Sequence, residues 1–119
     1  MRAVLARVRG GRADSAAALG AEAARRFPDS PEVLGSAEKA YLAAGKPREA
    51  LALARRLVFL NPGSALFAQV AAYAAAVNGR CEEARTRLER AAALAPSEPG
   101  PHRLLEQLSA GPRCGLEHS

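Results

Sequence analysis

Residues 31–62 read PEVLGSAEKAYLAAGKPREALALARRLVFLNP, and the fold follows from this stretch. Two helix-length apolar patterns lie on either side of Gly45-Lys46-Pro47, and Asn61-Pro62 closes the second. Gly and Pro are the residues that most often end helices, because one tolerates left-handed backbone and the other cannot continue the hydrogen-bond ladder. The same punctuation recurs at a fixed interval. Gly11, Gly45 and Gly79 are 34 residues apart, as are Pro28, Pro62 and Pro96, and Ala16, Ala50 and Ala84. Ala3, Ala37, Ala71 and Leu105 fall on the same lattice, and so do Ala6, Ala40, Ala74 and Leu108. Agreement of several columns on one period between 20 and 50 residues signals a stack of repeated supersecondary units.

The columns Leu34, Ala37, Tyr41, Gly45, Ala50, Ala54, Leu57 and Pro62 resemble the tetratricopeptide repeat, whose unit is a 34-residue helix–turn–helix. The chain departs from that pattern at Leu34, where the family has Trp, at Glu38, where it has Gly, at Ala54, where it has an aromatic, and at Ala75 in the tyrosine column of the next copy. The resemblance covers about residues 1–110. It implies an all-α, right-handed solenoid of antiparallel helix pairs, about three repeats plus a C-terminal cap helix. It also implies a scaffold that binds other proteins. The expected repeats run over 1–30 (incomplete), 31–64 and 65–98, with a cap helix over 99–110 and a flexible tail over 111–119.

Composition is consistent with such a stack. The 119 residues are 49% hydrophobic but only 4% aromatic, with no Trp. Much of the apolar content is alanine, which favours helix and lets helices approach closely. The net charge is +5, and Arg supplies most of the basic residues. A basic surface can bind nucleic acid, but Arg25, Arg26, Arg55, Arg56 and Arg90 fall late in the expected second helices, where cations complement the helix dipole. Glu22–Arg26 and Glu83–Arg87 are spaced as (i, i+4) ion pairs. The charges therefore read as a solvated outer face, and nucleic acid as an unlikely partner.

The two cysteines, Cys81 and Cys114, sit at a turn and in the tail, and the sequence leaves open whether they pair. There is no CxxC and no Cys/His cluster of zinc-site spacing. No 18-residue apolar span occurs, and the charges in MRAVLARVRG interrupt any signal-peptide core, which points to a cytoplasmic location.

Taken in order, the first helix is expected over 1–10, facing Val4, Leu5 and Val8 and ended by Gly10-Gly11. Asp14 or Ser15 then caps a helix to Phe27, which should plug the junction between repeats. The remaining helices should break near residues 29, 46, 63, 79 and 97, with Ser97 capping the last. The period would start a full repeat about four residues before Met1, so the opening helix looks shortened. Its apolar face is expected to pair weakly with a second copy. Leu116-Glu117-His118 resembles the remnant of an affinity tag.

No constellation for catalysis, metal or cofactor emerges. The histidines are His102 and His118 alone, and His102 shares the packing column of Leu34 and Ala68. The resemblance instead places the binding surface on the first helix of each repeat. Its inner columns hold Leu5, Val8 and Arg9; then Gly35, Lys39, Leu42 and Ala43; then Leu66, Gln69, Tyr73, Ala76 and Val77; and finally Arg103 and Gln107 on the cap helix. Apolar Leu42, Leu66 and Tyr73 beside cationic Arg9, Lys39 and Arg103 suit a peptide with apolar anchors and an acidic flank. The Lys/Arg–Asn clamp that some relatives use for peptide C-termini is missing from the matching positions.

Overall fold

The computed structural model describes residues 2–116, with side chains from residue 11 onward. Among these residues all regular structure is helical. The elements are α1 (Arg2–Arg26), α2 (Pro31–Ala43), α3 (Pro47–Leu60), α4 (Ala65–Val77), α5 (Cys81–Leu94) and α6 (Pro99–Gln107), followed by a short turn at Pro112–Gly115. The chain divides into two compact units, Met1–Leu53 and Ala54–Ser119, with the boundary inside α3.

The 34-residue period reappears as repeated turn geometry. Gly45 and Gly79 both adopt left-handed backbone, with φ of 71° and 73°. In each case the amide beyond the glycine reaches back one turn: Lys46 N–H donates to the Tyr41 carbonyl, and Arg80 N–H to the Ala75 carbonyl. This is the Schellman closure, and glycine is the residue that adopts it without a Cβ penalty. The opposite turns also match. Ser30, Ser64 and Glu98 each donate a backbone N–H to the carbonyl three residues earlier, on Phe27, Asn61 and Ala95. Ser30 and Ser64 then cap α2 and α4, their hydroxyls accepting from Val33 and Phe67 N–H. Five of the six expected breaks therefore fall where the sequence placed them.

The break at Gly11 does not occur. Helix α1 runs through Gly10-Gly11 to Arg26, so Asp14 and Ser15 lie inside it rather than at a cap. Two interior glycines cost about 1 kcal/mol each, and Gly11 lacks both the Asn that precedes Gly79 and the Pro that follows Gly45-Lys46. Continuity changes the rotational phase of α1. Ala17 takes the buried position and Ala16, expected inside, is exposed. At Gly20 the helix meets α2 closely: a Cβ there would lie 3.0 Å from Ala37 Cα. Phe27, expected to plug a junction, is 58% exposed. Elsewhere on the lattice Ala37, Ala50, Ala71, Ala74 and Ala84 are fully buried, while Ala40, Leu105 and Leu108 are only partly so.

Ala50 is fully buried, so Ala50→Leu should overpack its site and cost about 2 kcal/mol in denaturant unfolding. An unchanged midpoint would mean that the site has room to spare.

In the Ala54–Ser119 unit, α4 and α5 form a hairpin around Ala68, Ala71, Ala75, Ala84, Leu88 and Ala91, all buried. Helix α6 packs on α5 and is shorter than expected. Its N-cap is Glu98 rather than Ser97, with no side-chain cap bond. His102 is exposed and Pro101 takes the buried place beside it, so the packing column shifts by one residue in α6. The segment 111–116, expected to be mobile, is folded. Cys114 is bonded to Cys81, and Leu116 is buried to 1% exposure. Leu116 is thus part of the core of this unit. Glu117 and His118, like the side chains of Val4, Leu5, Val8 and Arg9, lie outside the described residues.

Candidate binding surface

The groove residues expected from sequence fall in both units. In Met1–Leu53, Lys39 is exposed and Leu42 partly so. In Ala54–Ser119, Leu66 is 67% exposed, Gln69 and Tyr73 are half-buried, and Arg103 and Gln107 are exposed. Ala76 is fully buried and offers a partner no side chain. Leu5, Val8 and Arg9 lie outside the described side chains.

Within the second unit, the start of α4 and the start of α6 enclose a cleft of about 320 Å³. Its wall is formed by Leu66 and Gln69 of α4, Ala95 and Glu98 of the α5–α6 turn, and Gly100 and Pro101 of α6. The helices can approach here because residue 100 has no side chain: a Cβ on Gly100 would stand 3.4 Å from Gln69 Oε1. Leu66, Ala95 and Pro101 supply an apolar floor, while Gln69 and Glu98 supply a polar edge. Such a cleft can take one apolar side chain and hydrogen-bond the backbone beside it. Tyr73 lies one turn further along the face of α4 that carries Gln69.

No known family model matches the chain, and neither does any curated protein.

A second, shallower depression of about 440 Å³ surrounds Phe59, which is 81% exposed, with Arg55, Arg56 and Arg87 beside it. Its charge is partly cancelled. Arg55 donates from Nε and Nη2 to the two carboxylate oxygens of Glu83, at 2.9 and 2.6 Å, and Arg80 Nε donates to Glu83 Oε1 at 2.9 Å. The hydrogen bonds from Arg55 lead in holding the Glu83 carboxyl down at about 2. Glu83 therefore turns to Arg55 and Arg80, where the sequence spacing had suggested Arg87. Glu22 and Arg26 do pair, at 3.3 Å.

Among the described residues, Glu38 of α2 is the buried carboxyl with a strongly displaced titration, at 2% exposure; burial pushes it up to about 7 against the opposing charge of Lys39. His102 directs Nε2 to the Pro96 carbonyl at 3.1 Å. Among the described residues no group of three His, Cys, Asp or Glu converges as a metal site, and no helix is long and apolar enough to cross a membrane.

The disulfide-anchored C-terminal turn was not legible in the sequence as a structural element. Its one signal was Cys81, which ends the turn at Gly79-Arg80 and faces a second cysteine 33 residues later.

Proposed function

We propose that this chain is a non-catalytic scaffold of tetratricopeptide type, a solenoid of antiparallel helix pairs that binds an extended segment of another protein along the first helices of its repeats. The observation that carries this reading is the open cleft beside Leu66 and Gln69, which lies on the inner columns that the repeat pattern assigns to binding. The 34-residue recurrence of both turn types supports the repeat itself. The partner segment has an apolar residue for the cleft and an acidic flank for Arg103, and exposed Lys39 in the first unit adds to the attraction of acidic segments. The charges act mainly on association rate and register. The setting is cytoplasmic.

A library of random peptides displayed on phage tests this with the full chain as bait. The expected ligands share an apolar anchor next to Asp or Glu. Tyr is a frequent hot-spot residue, since it combines a large rigid face with a polar tip. Tyr73→Ala should therefore weaken the selected peptides by about 2 kcal/mol, measured by calorimetry. Lys39→Glu should slow association and flatten its salt dependence. Ligands that ignore both changes would overturn the groove reading and direct attention to the Phe59 surface.

A further inference from the structure

The segment after α6 folds back onto the unit it came from. Residues 109–116 form a strap whose own backbone bonds are local: Ser109 N–H donates to the Cys114 carbonyl, Cys114 N–H to Gly111, and Leu116 N–H to Arg113. The Cys81–Cys114 bond ties the strap to the start of α5, and burial of Cys114 and Leu116 seats it against α4 and α5. Cys114 Sγ lies 3.9 Å from the Ala76 carbonyl oxygen. A disulfide sulfur carries no proton, so this is a packing contact rather than a hydrogen bond. Tyr73 follows Gln69 by four residues and Ala76 follows Tyr73 by three, which puts the three on one face of α4. The strap thus covers one end of the face whose other end is the open cleft.

We propose that this strap is a redox-controlled latch, closed by the Cys81–Cys114 bond and released from α4 when that bond is reduced. Three observations carry it. The closed strap holds Arg113, Cys114 and Gly115 at φ of 54°, 56° and 80°, and two of these are residues that disfavour left-handed backbone. It is also crowded: a Cβ on Gly115 would fall 2.5 Å from Ser109 Oγ and 2.6 Å from the Gln107 carbonyl oxygen. Finally, the two sulfurs differ in access. Cys81 is partly exposed, while Cys114 is fully buried.

The access difference fixes the order of the chemistry. A thiolate of a dithiol reductant attacks Cys81 Sγ, the S–S bond breaks, and Cys114 leaves as a thiolate that takes up a proton. The second thiol of the reductant then displaces Cys81 from the mixed disulfide. One protein disulfide becomes two thiols, and the dithiol becomes a disulfide. Without the covalent tie, left-handed strain and the ordering of eight residues act against the burial of Leu116, and the strap leaves. The end of α4 at Ala76 then opens beside Tyr73. That this enlarges the partner surface rests on the groove reading above; the release itself does not, and the test below reads the strap rather than any partner.

The full chain is treated with trypsin, oxidised and in dithiothreitol, and cleavage after Arg113 is followed by mass spectrometry while circular dichroism follows the helices. Reduction should speed that cut at least tenfold with the helical signal retained, and the C81S/C114S double variant should behave as the reduced chain without reductant. C81S alone leaves Cys114 as the single thiol, which a maleimide should then label at the rate of an open cysteine. An unchanged cleavage rate and a protected Cys114 would mean that the strap stays seated without the bond. Faster cleavage accompanied by loss of helix would mean that the bond is a staple of the whole unit. Either result overturns the latch.

Discussion

Reduction of the Cys81–Cys114 bond should lower the stability of the Ala54–Ser119 unit by up to about 4 kcal/mol, read as a fall in its thermal midpoint. The bond joins residues 33 apart and encloses α5, α6 and the strap. A cross-link over a loop of that length removes chain entropy chiefly from the unfolded state, and the loop-closure relation gives about 4 kcal/mol. Freedom regained by a released strap returns part of this to the reduced folded state, so the figure is an upper bound. The core of the unit offers little to offset the loss. It is built mostly from alanines, each of which buries little area. C114S should reproduce the effect without reductant. A midpoint that does not move between oxidised and reduced protein would mean that the unfolded chain gains nothing from losing the bond.

Stability should also fall with rising pH through the neutral range, and Glu38 should be the cause. Its carboxyl titrates at about 7 in the folded chain against 4.5 as the ordinary value, with burial as the leading cause. Below pH 4.5 the group is neutral in both states and costs nothing. Between 4.5 and about 7 the unfolded chain gives up the proton first, so the unfolded state binds fewer protons and the folded state loses ground. Above about 7 the loss is complete. At about 1.4 kcal/mol per pH unit it amounts to about 3 kcal/mol. Glu38→Gln should flatten the stability profile between pH 5 and 8 and raise the melting temperature at pH 8. Equal slopes for variant and parent would place the pH dependence elsewhere. Glu38 stands in the column where the resembled repeat carries glycine, so Glu38→Gly would remove the charge but add helix-breaking cost, and Gln is the cleaner probe.

Much of the helical layout was legible because it is local. A Schellman turn needs one residue with positive φ, and Gly45 and Gly79 provide it; Ser30 and Ser64 cap the next helices with their own hydroxyls. Gly11 carries the same lattice position but not the same neighbours, and the chain runs straight through it. That continuity turned α1 by enough to exchange Ala16 for Ala17. That Leu66, Gln69 and Tyr73 share one face of α4 was legible too, since it follows from helical spacing. Burial of Ala76 was not, because the segment that covers it lies more than thirty residues away.

By itself the sequence determined the all-helical class, five of the turns and which residues of α4 share a face, because capping chemistry and 3.6-residue periodicity act over a few residues. Only the tertiary structure decided the rest. The pairing of Cys81 with Cys114, the seat of Leu116, the choice of Glu83 by Arg55 and the burial of Glu38 depend on which surfaces meet across long separations. Close approach there is set by packing, which no local pattern encodes.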